Sequence, residues 1–93
     1  MKLLKFRLIN KAGLHARPAA FLVQEAKKFS SQIIIRKGDK SANAKNVLQV
    51  LSLGADVGDE IEVIITGNDE NEAAQAIQKL LTETLPSMDA EVR

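Results

Sequence analysis

The chain has 93 residues, 45% hydrophobic and 27% charged, with a formal net charge of +1, three phenylalanines as its only aromatics and no cysteine. That length closes one small aliphatic core and leaves no room for an enclosed active-site cavity, so any chemistry has to be carried near the surface. The composition excludes a disulfide framework and a thiolate metal site, and it lacks the basic stripe and stacking aromatics of a nucleic-acid binder.

In chain order, Leu4, Phe6 and Leu8 alternate with Lys5 and Arg7, which predicts a half-buried strand over Lys2 to Ile9. After the loop Asn10 to Leu14, the residues Ala19, Leu22, Val23 and Ala26 recur at helical spacing, predicting a helix that ends near Phe29. Gln32 to Lys37 is isoleucine-rich and runs into Gly38 and Asp39, a hairpin turn with a short return through Lys40 to Asn43. The cations Arg36, Lys37 and Lys40 are expected as a solvated hairpin tip.

Asn46 stands three residues before Gln49 in capping-box spacing, and Gly54 offers a left-handed stop, so a short second helix is expected between them. Gly58 and Asp59 turn into Glu60 to Thr66, where Ile61, Val63 and Ile65 face one way. Asp69 and Glu72 form a second capping box ahead of Ala73, Ala74, Ile77, Leu80 and Leu81, and Pro86 is expected to end this third helix. The order β-α-β-β-α-β-α predicts one α+β domain over residues 1–93, its tail after about residue 85 flexible. The architecture expected is an antiparallel or mixed sheet with all helices on one side, an open-faced sandwich. Strand order is not legible in periodicity. No apolar run approaches the roughly 20 residues of a membrane span, and "MKLLKFRLI" is broken by charges unlike a signal peptide, so a cytoplasmic location is expected.

The chemistry concentrates in "NKAGLHARPAA", residues 10–20, which holds the one histidine. Pro18 fits a helix only in its first turn, so the helix starts near residues 16–18 and His15 falls at its N-cap, over unpaired backbone N–H groups. Those groups and the helix dipole attract an anion, and Arg17 adds a bidentate donor suited to phosphate oxygens. The positive helix end favours a neutral, nucleophilic imidazole. Gly13 gives the loop room for unusual backbone angles. The alternative is an ordinary loop-to-helix junction.

In the second helix Val47, Leu48 and Leu51 share one face and Val50 and Leu53 another. One core cannot bury both, so one face is either a contact surface or lies against a neighbouring loop. Phe21 and Ala20, off the apolar stripe of the first helix, extend that patch towards His15.

The segments "GLHARPAA", "FLVQEAKKFSS", "NAK", "LSLG" and "GNDENEA" resemble the histidine-containing phosphocarrier (HPr) family, over essentially the whole chain to about Thr84. The resemblance implies an open-faced β-sandwich with a four-stranded antiparallel sheet covered on one face by three helices. It implies not an enzyme but a cytoplasmic phosphoryl carrier of the phosphoenolpyruvate-dependent sugar phosphotransferase system. His15 would take a phosphoryl group at Nδ1 from enzyme I and pass it to sugar-specific enzyme IIA domains. By position, Arg17 would steady the phosphate with the backbone N–H groups of Ala16 and Arg17. Ala20, Phe21, Gln24, Lys27, Val47, Leu48, Gln49 and Leu51 would match the partner-docking surface. Where many members carry a serine that a dedicated kinase phosphorylates, this chain has Asn46, which caps a helix equally well but has no hydroxyl. That role is not transferred to Ser41 or Ser52.

A regulatory HPr-like carrier of a nitrogen-related or other non-transport branch shares His15 and is the alternative. A histidine phosphatase would need further charged groups around a cleft. A metal site would have one histidine and otherwise only carboxylates, so neither metal nor cofactor is expected. The chain is expected to be monomeric, without nucleic-acid or membrane partners.

Overall fold

A computed structural model describes residues 1–89. Its elements are β1 (Lys2–Arg7), α1 (Ala16–Ala26), β2 (Gln32–Lys37), β3 (Lys40–Asn43), α2 (Val47–Ser52), β4 (Glu60–Thr66) and α3 (Glu70–Lys79). A π-helical turn (Leu80–Thr84) then leads into α4 (Leu85–Asp89). The strands form one antiparallel sheet in the order β1-β4-β2-β3.

The period-two pattern is what the sheet uses. Leu4, Val63, Ile35 and Ala42 stand in one register row across the four strands, with Val63, Ile35 and Ala42 buried beneath the helices. One residue along, the row Lys5, Glu62, Arg36 and Ser41 faces the other way. There Glu62 Oε1 accepts from Arg36 Nε at 2.9 Å, and Glu62 Oε2 lies 3.9 Å from Lys5 Nζ. Such a charged row keeps the uncovered face wet and the apolar face down, because a one-residue slip would exchange the two.

The helices complete the layer with their expected stripes: Ala19, Leu22, Val23 and Ala26 from α1, and Ala73, Ala74, Ile77, Leu80 and Leu81 from α3 and the π turn, are all buried. In α2 the two faces part as the spacing requires, with Val50 and Leu53 in the core and Val47, Leu48 and Leu51 outside it. Gly54 has the left-handed φ of +62° that stops α2.

Several expectations need correction, the first being the strand expected over Lys2 to Ile9, which ends at Arg7. α1 ends at Ala26, and Phe29 N–H closes a turn onto Ala26 O at 3.2 Å. Pro86 does not end the third helix. Leu85 N–H reaches back five residues to Leu80 O, and this widened turn places the proline in the first turn of α4, where no amide donor is required. The tail expected after about residue 85 therefore begins as a helix, anchored by buried Leu85; residues 90–93 lie outside the described residues. Neither capping box closes as drawn. Asn46 Oδ1 does accept from Gln49 N–H at 3.2 Å, but the Gln49 side chain turns to Asn43 N–H at 2.8 Å. Asp69 makes no cap bond; its carboxylate accepts from Ser30 N–H at 2.8 Å, Ser31 N–H at 2.9 Å and the Ser31 hydroxyl. These bonds, the Ser31 hydroxyl first, hold the Asp69 carboxyl at about 2. Lys37 is the last case: it is no solvated tip but a half-buried tie, donating to Gly54 O at 2.9 Å and pairing with Asp59 Oδ2 at 3.0 Å.

Candidate functional site

α1 begins at Ala16 with Pro18 in its first turn, and His15 is the N-cap in extended conformation, φ −78° and ψ −167°. The His15 carbonyl accepts from Ala19 N–H at 2.8 Å, but its side chain makes no cap bond. Among the described residues the N–H groups of Ala16 and Arg17 have no acceptor, so the first turn presents two free donors beside the imidazole. Arg17 is exposed and pairs with no acid among the described residues.

The loop that delivers His15 is moored to the segment between α2 and β4. Leu8 N–H donates to Asp59 O at 2.9 Å, Gly58 N–H to Leu8 O at 2.8 Å, and Leu14 N–H to Ala55 O at 2.9 Å. Gly13 is required twice over: its φ is +55°, and a Cβ there would stand 2.5 Å from Ala55 O. Asn10 is buried and closes the loop from within, its Nδ2 donating to Gly13 O at 2.8 Å.

This close approach brings an unforeseen residue to the imidazole. Asp56 Oδ1 is hydrogen-bonded to His15 Nε2, with the two side chains 63% and 60% exposed. The contact spans 41 residues and leaves no mark in local spacing, and nothing in the sequence singles out Asp56. Asp56 is itself held: its N–H donates to Asp59 Oδ2 at 2.8 Å and its carbonyl accepts from Asp59 N–H at 3.0 Å. The Asp56 N–H and the Lys37 ammonium keep the Asp59 carboxyl below its ordinary value.

α2 packs beside α1. Val47 and Leu51 are each 38% exposed and Leu48 75%, with Phe21 on α1 at 42%. Ala20, Gln24, Lys27 and Gln49 are exposed as well. Phe21 and Gln24 also line a groove between α1 and the α3 end, opposite Ala76, Lys79, Leu80 and Thr84. Among the described residues no three His, Asp or Glu side chains gather where a metal ion could be held, and no helix is long and apolar enough to cross a membrane.

Fold and site together define a small open-faced α+β sandwich that presents one imidazole at a helix start, beside an uncovered apolar face. The family model for the PTS HPr component phosphorylation site matches residues 4–83. The phosphocarrier protein HPr of Treponema pallidum (strain Nichols) is 42% identical over 74 residues, 80% of this chain and 84% of that protein. A crystal structure of HPr from Thermoanaerobacter tengcongensis superposes with a TM-score of 0.88 at 44% identity, over 94% of this chain and 97% of that one. Crh, a catabolite-repression protein of Bacillus subtilis solved as a dimer with a swapped domain, gives a TM-score of 0.72 at 38% identity, covering 91% and 98%. The chain belongs to the HPr family of phosphocarrier proteins.

Proposed function

We propose that this protein is a phosphoryl carrier between enzyme I and enzyme IIA domains of the phosphotransferase system, with His15 as the acceptor. The observation that carries the reading is the 60% exposed imidazole at the N-cap of α1, beside the free N–H groups of Ala16 and Arg17. A phosphoryl group on the ring meets two backbone donors, the helix dipole and the Arg17 guanidinium, all of which favour negative charge. In transfer the lone pair of Nδ1 forms the N–P bond while the bond from phosphorus to the donor breaks, and the second transfer reverses this towards the acceptor.

Carriers must release their partners quickly, and a small apolar surface suits that. Val47, Leu48, Gln49 and Leu51 of α2 with Ala20, Phe21, Gln24 and Lys27 of α1 form the docking surface in this reading. The protein acts as a cytoplasmic monomer, its apolar face left open; light scattering at dimeric mass would overturn that part. Asn46, occupied in capping α2 and lacking a hydroxyl, closes the kinase route at this position.

Incubation with enzyme I and phosphoenolpyruvate should add about 80 Da, one phosphoryl group, as an acid-labile adduct that His15→Ala does not form. No adduct with a competent enzyme I would sink the reading. The likeness to Crh favours a second reading, a carrier whose phosphorylation state governs regulators. Capture of enzyme IIA domains supports transport; capture of regulators alone supports the second.

A further inference from the structure

The ring of His15 has two nitrogens, and its neighbours treat them differently. Nε2 is bonded to Asp56, whereas Nδ1 has no hydrogen-bond partner among the described residues. The carboxylate is not a wandering surface acid. Its backbone is fixed on both sides, by Asp59 through two hydrogen bonds and by Leu14 N–H on the adjoining Ala55 carbonyl. Lys37 braces the segment through Asp59 and Gly54. Gly13 lets the histidine loop approach this backbone more closely than any side chain would permit.

We propose that Asp56 is a positioning residue for phosphoryl exchange at His15, holding the imidazole in the tautomer that carries its proton on Nε2 and its lone pair on Nδ1. The inference rests on the carrier reading above. An ionised carboxylate accepts hydrogen bonds and cannot donate one, so the nitrogen it faces must bear the hydrogen, and the other is left as the nucleophile. The proton balance then closes without a base. Neutral imidazole attacks through Nδ1, the N–P bond forms, the bond to the donor breaks, and the ring becomes cationic with its proton still on Nε2. On release the N–P electron pair returns to Nδ1, and the leaving group is neutral imidazole rather than an anion. Asp56 offsets the ring charge throughout and neither gains nor loses a proton. Its own charge repels the incoming phosphoryl group, but from the far side of the ring, while Arg17 and the helix start act in the opposite sense.

Phosphoramidate, a small donor that needs no docking surface, provides the test. The parent protein should be phosphorylated at Nδ1, and long-range ¹H–¹⁵N correlation should place the ring proton of the free protein on Nε2. In Asp56→Ala the ratio of Nδ1 to Nε2 adduct, read by ¹H–³¹P NMR, should fall about tenfold, as expected for loss of one exposed charge-assisted hydrogen bond. Asp56→Asn, which keeps a neutral acceptor, should fall between. An unchanged ratio in a folded Asp56→Ala protein, or a parent proton on Nδ1, overturns the proposal. Enzyme I assays run in parallel separate the two readings: a parent protein that reacts with phosphoramidate but takes nothing from enzyme I loses the carrier reading, while the isomer ratio still decides Asp56.

Discussion

The two long helices, α1 and α3, have 11 and 10 residues and lay matching apolar stripes on the same sheet, but their starts are opposites. α3 carries Glu70 and Glu72 in its first turn, and Glu70 Oε1 accepts from Gly67 N–H at 3.1 Å. α1 has no acid in its first turn and no side-chain cap; it has Arg17 and an imidazole that looks away to Asp56. Neither helix has a side-chain cap, since the Asp69 carboxylate is spent on Ser30 and Ser31, so what differs is dipole complementation, worth up to about 1 kcal/mol. The stability forgone at α1 is the difference between a helix end serving only the fold and one left open to an outside anion. What compensates is long-range: α1 is held from behind, by the mooring of residues 8–14 on residues 55–59.

Cutting that mooring should do most harm. Gly13→Ala places a Cβ at φ +55°, 2.5 Å from Ala55 O, and should destabilise the protein by about 3 kcal/mol, the sum of left-handed strain and overpacking. The urea midpoint reads it; a loss below about 1 kcal/mol, the scale of a cap alone, would mean that the loop approaches less closely.

The start of α3 should reveal itself in acid. Asp69 has a folded value of about 2 against an ordinary 3.8, so its contribution is fully present above 3.8 and lost as pH falls from there through about 2. Melting curves of Asp69→Asn should be lower than those of the parent at neutral pH and should converge with them below that window. Parallel curves at every pH would refute the assignment. The lowered values of Asp59 and Glu70 add to the parent's acid loss in the same direction.

Smaller effects separate the capped helix from the open one. Asn46→Ala removes the α2 cap and should cost about 1 kcal/mol. His15→Ser supplies the cap that α1 lacks and should gain about 0.5 kcal/mol, while abolishing phosphoryl uptake. If it gains nothing in chemical denaturation, the α1 start is already satisfied and the contrast with α3 fails.

Much of this contrast was legible in the chain. Pro18 placed the start of α1 because proline's missing donor is a local constraint, and the two faces of α2 were separable because helical spacing is local too. The strands β1 and β4 followed from alternation and β2 and β3 from the isoleucine run and its glycine turn, with β2, β3 and β4 bounded to the residue. Asp69 was readable as a residue at a helix start, yet not as the anchor of Ser30 and Ser31, since a side chain with several acceptors takes whichever donors folding brings nearest. Pro86 misled because its rule presumes an α-helical turn, and the chain widened the turn instead.

The amino-acid sequence by itself determined the element order, the inward faces, the position of His15 and Arg17 at a helix start, and the surplus apolar face of α2. All of these are set by periodicity and backbone chemistry within a few residues. Only the tertiary structure decided the order β1-β4-β2-β3, the bracing by Lys37, and the meeting of Asp56 with His15. These depend on which distant segments pack together, and a contact across 41 residues has no period to read.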